Sequence, residues 1–267
     1  MVTDAESAPL AIQGTDTIPA KIQVMGVGVT PFDGYEHATN AIDRAIQVRN
    51  KTFIAAINPE KLYAAHSDAE LRTILNRPEI CICDGIGAAF AVRVLFGLRI
   101  PRITGVSLFF EIIKLAAKKQ RRVFLLGGAA DVNALAVEKL VAEYPSLILA
   151  GNHHGYFEDS NDIVELINSS NADIVFVAMG SPKQELWITE HREQISAPIC
   201  MGIGGTLDVV SGRVKWAPAF FRKTGTEWLY RLVSEPSRWR RQLALPKFLF
   251  VLAKYKLGLG DVHESQT

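Results

Sequence analysis

The stretch Ala172-Asp173-Ile174-Val175-Phe176-Val177-Ala178-Met179-Gly180-Ser181-Pro182-Lys183-Gln184-Glu185 decides the fold class. Its first half is a near-continuous apolar run, the pattern of a strand covered on both faces. Gly-Ser-Pro then turns the chain, and Leu186-Trp187-Ile188 begins a helical pattern. Strand, tight turn and helix make the repeating unit of an open α/β sheet. Such sheets bind ligands at the carboxyl ends of their strands, where this turn lies. Pro182 suits the first helical position and Ser181 the cap. A helix start offers unpaired backbone N–H groups to an anion. Lys183 in the first turn opposes the helix dipole, so the turn reads as a binding element; the plain alternative is an ordinary capped helix.

The same alternation extends in both directions. Arg122-Val123-Phe124-Leu125-Leu126 is a strand ending at Gly127-Gly128, and Asp131 caps a helix that runs to Tyr144 and stops at Pro145. Leu147 to Ala150 is the next strand, and Ser160 or Asn161 caps a helix carrying Ile163, Leu166 and Ile167. Ile174–Val177, the helix after Pro182 and the strand Ile199-Cys200-Met201 complete a series that implies parallel strands with right-handed crossovers. Upstream, Lys21–Val29, Thr52–Ile57 and Ile80–Cys83 read as strands. Ala38–Asn50, Ala69–Leu75 and Ser107–Lys119 read as helices. The expected class is α/β, with a Rossmann-like, mostly parallel sheet flanked by helices and a basic helical C-terminal appendage. Residues 1–20 are expected to form a flexible polar arm, 21–216 the α/β domain with the site, and 217–267 the appendage.

The chain has 267 residues, 48% of them hydrophobic and 21% charged, enough for one large domain and an appendage. Net charge is +1 but unevenly placed. From Ala217 to Gly260 there are nine Lys/Arg against two acids, a balance of +7 that leaves −6 elsewhere. A basic tail on an acidic body points to an anionic partner of the tail. After Pro246, Phe248, Leu249, Leu252, Tyr255 and Leu259 fall at helical spacing, read as one face, with Lys247, Lys254 and Lys256 toward the sides. Such a helix suits an anionic membrane surface; docking on its own domain is the other reading. No run reaches the roughly 18–20 apolar residues needed to span a bilayer, and no signal peptide is visible. Cys81, Cys83 and Cys200 lack partners at metal spacing and read as core residues of a reducing compartment, so the expected location is cytoplasmic.

Polar residues cluster just after strands, at Asn58-Pro59-Glu60, Asp84-Gly85, Gly127-Gly128, Gly155-Tyr156-Phe157, Gly180–Glu185 and Gly202–Thr206. In a parallel sheet these positions converge on one edge, and several glycine turns there suit a nucleotide diphosphate, although each glycine taken singly only solves a turn. Asn58, Thr104, Gly127, Gly128, Gly180, Ser181, Lys183, Glu185, Gly204 and Gly205 are the candidate substrate contacts. Asp84 is the candidate base: partial desolvation after an apolar strand would raise its proton affinity, unless it only caps the next helix. Arg102 could meet a phosphate in a forked contact, the alternative being an exposed surface arginine. The chain contains no Asp-x-Asp pair to hold a metal on a diphosphate, so arginine, lysine or helix N-termini are expected to stabilise it, with no metal or cofactor required.

Together with Arg102-Ile103-Thr104-Gly105, Tyr144-Pro145, Ala217-Pro218, Glu227-Trp228-Leu229-Tyr230-Arg231 and Glu235-Pro236-Ser237-Arg238, these segments resemble the WecG/TagA/CpsF family of bacterial glycosyltransferases across about residues 52 to 241. The resemblance implies inverting transfer from a UDP-sugar to a polyprenyl-diphosphate-linked saccharide in surface or exopolysaccharide synthesis. It places the family's base on Asp84, its substrate-binding arginine and glutamine on Arg102 and Gln184, and the arginines of a membrane-docking, site-closing appendage on Arg231, Arg238 and Arg241. Many relatives carry Thr where Ala56 stands and Asp where Ser107 stands. Both departures remove groups that could contact a sugar, so N-acetylmannosamine, its uronic acid and glucose all stay open as the transferred sugar. Expected partners are the UDP-sugar, the lipid-linked acceptor and the inner face of the cell membrane; no nucleic acid is expected, and a homo-oligomer is compatible. A nicotinamide-dependent oxidoreductase is the main rival, opposed by the lack of a Gly-x-Gly-x-x-Gly after the first strand. A non-catalytic membrane scaffold is the third reading.

Overall fold

The computed structural model describes residues 16–234 and 244–259. In chain order the elements are β1 (Ile22–Val24), β2 (Val27–Val29), α1 (Tyr35–Gln47), β3 (Thr52–Ile57), α2 (Pro59–Ser67), α3 (Ala69–Asn76), β4 (Ile80–Cys83), α4 (Ile86–Phe96), α5 (Gly105–Lys119) and β5 (Arg122–Gly127). They continue with α6 (Ala130–Glu143), β6 (Ile148–His153), α7 (Ser160–Ser169), β7 (Ile174–Ala178), α8 (Lys183–His191), β8 (Ile199–Gly202), α9 (Thr206–Val210), α10 (Ala219–Thr224), α11 (Glu227–Ser234) and α12 (Ala244–Lys256). β3 to β8 form one parallel sheet in the order β4-β3-β8-β7-β5-β6.

Strand residues alternate between the two faces, and the apolar runs are apolar because both faces are covered. Val123, Leu125, Ile174 and Phe176 join the core under α1, α5 and α6, with Ile42, Phe109 and Ile112. Their neighbours Phe124, Leu126, Val175 and Val177 join the opposite core, with Ile163 of α7 and Trp187 and Ile188 of α8. A third cluster covers the β4 side, where Leu62, Leu75, Cys81, Cys83 and Val92 meet Val24, Val27 and Val29. All three cysteines are buried and free. Burial raises their thiols to about 11 at Cys81, 12 at Cys83 and 11 at Cys200.

The chain leaves β5 outward to β6 but leaves β7 the opposite way to β8. The crevice between β5 and β7 is therefore the topological switch point, the place where open sheets receive ligands. Glycine is required there. Gly127 has φ +119, and a Cβ on it would overlap the Ala178 carbonyl of the neighbouring strand.

Several local expectations need correction. The single strand Lys21–Val29 is an antiparallel hairpin, because Met25 (φ 52) and Gly26 (φ 82) reverse the chain in its middle. Helix α2 was not anticipated, and the helix read as following Asp84 is α4, whose cap position is held by Gly85, not Asp84. Asn58-Pro59-Glu60 is a helix start, with Asn58 Oδ1 accepting from Lys61 N at 2.9 Å. Asp131 is not a cap but a first-turn residue of α6, whose cap position is Ala129. α7 is capped by Asp159, not Ser160 or Asn161, its carboxylate accepting from Asn161 N at 2.7 Å. Ser181 does not cap α8, because the helix begins one residue later and Pro182 holds the cap position.

The apolar side of α12 is also not one surface. Phe248, Val251 and Leu252 are buried in the cluster with Leu62, Ala88 and Val92, and Tyr255 packs at its margin. Leu249 lies about 100° around the helix from Phe248 and is 50% exposed, while Leu259 lies beyond the helix end and is 69% exposed. The helix docks on its own domain through Phe248 and Leu252. No helix among the described residues is long and apolar enough to cross a membrane.

Candidate active site

Parallel register brings the predicted polar turns to one edge. Asp84 follows β4, and its N–H donates to Ile57 O at 2.8 Å, which aligns it with the end of β3. The loop after α4 then returns to the same place: Ile103 N donates to Cys83 O at 2.9 Å. That single bond sets Arg102 and Thr104 beside Asp84. Asp84 Oδ2 lies 3.9 Å from the position a Cβ on Gly105 would take, and Ala56 Cβ lies 3.6 Å from it. The Cys83 thiol registers both neighbours. After burial, its rise to about 12 owes to the Asp84 charge, against which Arg102 pulls down.

Thr104 is buried and occupied as the cap of α5. Its hydroxyl accepts from Ser107 N at 3.3 Å and pairs with Ser107 Oγ at 2.9 Å, while Tyr35 OH accepts from Thr104 N at 3.0 Å. Arg102 is neither an exposed arginine nor a free fork. Nη1 pairs with Glu227 Oε1 at 3.1 Å, and Nη2 donates to the Arg222 carbonyl. It thereby ties α10 and α11 to the loop that carries Arg102, at the edge of the candidate site. Arg222 itself lies 4.1 Å over the Trp216 ring, which stacks on Phe110 at 4.9 Å. A cavity of about 430 Å³ beneath this stack is lined by Ser107, Phe110, Trp216 and Arg222, among others. A second, of about 500 Å³, opens beside the contact of α2 with α12, lined by Tyr63, His66 and Lys247 among others, and includes no candidate residue.

Farther along the same edge, after β8, β7 and β5, Gly205, Gly180, Ser181 and Lys183 are exposed, and Gly204 and Gly128 are half-buried. Gln184 and Glu185 are not at the surface. They are 3% and 0% exposed, because first-turn residues share a face with Trp187 and Ile188, which point into the core. Gln184 Oε1 accepts from Gly204 N at 2.8 Å, and Gln184 Nε2 donates to Glu185 Oε1 at 3.0 Å. Lys61, which sequence reasoning missed, completes this group at 2.7 Å from Glu185 Oε1. The signal was present, since Lys61 stands three residues after the cap Asn58. Arg231 is on α11, but its side chain, like Arg238, Arg241 and residues 1–15, lies outside the described residues.

A parallel open sheet with a carboxylate, an arginine and glycine turns at the carboxyl ends of its strands is a Rossmann-like architecture with its candidate site on the ligand-binding edge. The profile described as "Glycosyl transferase WecG/TagA/CpsF family" matches residues 22–261. The chain belongs to the WecG/TagA/CpsF family of glycosyltransferases. It is 35% identical over 211 residues, covering 79% of this chain and 82% of the relative, to the N-acetylglucosaminyldiphosphoundecaprenol N-acetyl-beta-D-mannosaminyltransferase of Bacillus spizizenii (strain ATCC 23059 / NRRL B-14472 / W23). It is 37% identical over 201 residues, covering 75% and 78%, to the protein of the same name from Bacillus subtilis (strain 168). Membership sets aside the oxidoreductase and the scaffold.

Proposed function

We propose that this chain transfers N-acetylmannosamine, with inversion, from its UDP conjugate to an N-acetylglucosamine carried on a polyprenyl diphosphate at the inner face of the cell membrane. The observation that carries the reading is the meeting of Asp84, Arg102 and Gly105 at the end of β4, on the same carboxyl edge of the sheet as the glycine turns after β8, β7 and β5, which suit a diphosphate. The names of the two Bacillus relatives support the sugar and the acceptor.

Asp84 takes the proton from an acceptor hydroxyl as that oxygen forms its bond to the anomeric carbon. The bond from that carbon to the UDP oxygen breaks on the opposite face, and UDP departs with the electron pair. Arg102 and the backbone N–H groups of the crevice offset the charge that develops on the leaving diphosphate. Ala56 presents only a methyl, facing Gly105, and offers a bound sugar no side-chain hydrogen bond. That methyl is also the feature that keeps a glucose donor as the second reading. The appendage brings the site to the bilayer through exposed Leu249, Phe250 and Leu257 with Lys247, Lys254 and Lys256.

The test is UDP release from a panel of UDP-sugars with a short-chain polyprenyl-diphosphate N-acetylglucosamine, using the native chain and Asp84→Asn. Acceptor-dependent release from UDP-N-acetylmannosamine, reduced about 10²- to 10⁴-fold in the variant, is expected. Near-native turnover in the variant removes Asp84 from the role of base. Release from UDP-glucose alone replaces the sugar.

A further inference from the structure

Beneath the exposed turns lies a buried polar chain that no part of the transfer chemistry has used. Lys61 Nζ donates to Ala56 O at 2.8 Å, at the end of β3, and to Glu185 Oε1 at 2.7 Å, on α8. Glu185 Oε1 also accepts from Gln184 Nε2 at 3.0 Å, and Gln184 Oε1 accepts from Gly204 N at 2.8 Å, after β8. The Lys61 and Glu185 side chains are 11% and 0% exposed. The second oxygen, Glu185 Oε2, is buried with no hydrogen-bond partner.

We infer that Lys61 and Glu185 are positioning residues that hold the Gln184 amide and the Gly204 turn in one orientation for transfer; this rests on the site assigned above. The chain of bonds links the carboxyl-end turns of β3, β7 and β8, which are consecutive neighbours in the sheet. It also fixes which end of the amide faces which way. The carboxylate accepts only, and Gly204 N–H donates only. Rotating the amide by half a turn would set oxygen against carboxylate and NH₂ against N–H, so one orientation alone satisfies both ends. Space is equally confined, since a Cβ on Gly202 would lie 2.6 Å from Gln184 Nε2. A buried ion pair is a poor device for stability alone, because apolar residues of similar volume usually serve as well or better. Its distinctive product is orientation, and it sits beneath the turns that follow β7 and β8, on the edge where the proposed donor binds.

Two double variants separate orientation from packing. Lys61→Met/Glu185→Leu removes both charges and the acceptor for Gln184, while Lys61→Met/Glu185→Gln removes both charges but keeps an acceptor oxygen. Thermal unfolding of the two is expected to agree. The first is expected to lose about 10- to 100-fold in kcat/KM, the size typical of lost outer-layer support, and the second to recover most of that loss. A side-chain amide spectrum gives a reading independent of turnover. The Gln184 NH₂ pair, assigned by its disappearance in Gln184→Glu, is expected to be shifted and protected from exchange in the native chain and in the Gln double variant, and not in the Leu double variant. Equal activity and equal amide signals in the two double variants would overturn the inference, as would losses that only follow the change in Tm. If the native chain transfers no sugar from any donor, the proposed function fails. The amide spectrum then decides the positioning role by itself.

Discussion

Replacing Glu227 by Gln should make this protein bind UDP more tightly. Arg102 Nη1 stands 3.1 Å from Glu227 Oε1, with the two side chains 19% and 14% exposed. The attraction at that separation is about 5 kcal/mol at an effective dielectric near 20. Desolvation and side-chain ordering offset most of it, leaving about 1–2 kcal/mol. A diphosphate that engages Arg102 must displace Glu227 from Nη1, and this net attraction opposes it. Glu227→Gln keeps the shape and removes the charge, so the UDP dissociation constant should fall about 5- to 30-fold. Arg102→Met should raise it about 10- to 150-fold, the loss of a charge-assisted contact. Titration calorimetry with UDP at fixed ionic strength measures both. A Glu227→Gln variant that binds UDP more weakly would show that the glutamate holds Arg102 in its binding position instead of competing for it. Unchanged affinity in both variants would take Arg102 off the diphosphate. Because Arg102 also grips α10 through the Arg222 carbonyl, the Arg102 variant should expose Arg222 and Lys223 to trypsin sooner than native.

Phe248 is fully buried against α2 and α4, so Phe248→Ala should cost about 3–5 kcal/mol in denaturant unfolding; a loss below about 1 kcal/mol would mean that α12 is detached in solution. Changing Lys247, Lys254 and Lys256 together to Gln should weaken association with phosphatidylglycerol vesicles by about 3 kcal/mol while leaving Tm in place, and unaltered sedimentation with the vesicles would exclude α12 as the membrane contact. Burial raises the proton affinity of Asp43, but hydrogen bonds and charges from Arg121 and Lys119, at 2.8 and 3.0 Å, more than reverse this and hold its carboxyl below the ordinary range. A depressed folded pKa contributes stability above the unfolded value, near 3.9, that is lost as pH falls through the folded one. Asp43→Asn should therefore lower stability at pH 7 and flatten its decline below about pH 5; an unchanged acid limb would show that other carboxylates set it.

The amino-acid sequence by itself determined which segments form the sheet and where its ligand edge lies. Thr52–Ile57 and Ile80–Cys83 coincide with β3 and β4, and Ile174–Val177 falls one residue short of β7, because a strand covered on both faces must be apolar at every position. The convergence of Asp84, Gly127-Gly128 and the Gly180 turn followed from the same parallel connection rule. Positions decided by two or three neighbours were read less well: Met25-Gly26 splits a strand pattern, and Asp159, Ala129 and Pro182 take cap positions one or two residues from those expected. Only the tertiary structure decided what each polar side chain meets. Arg102 finds Glu227 across 125 positions of sequence, and Lys61 finds Glu185 across 124. Phe248 turns an apparently membrane-ready face into core by packing on α2. Local pattern reports how a segment is solvated, which depends on its own residues; a hydrogen-bond partner depends on how distant segments pack, and no periodicity within either segment encodes it.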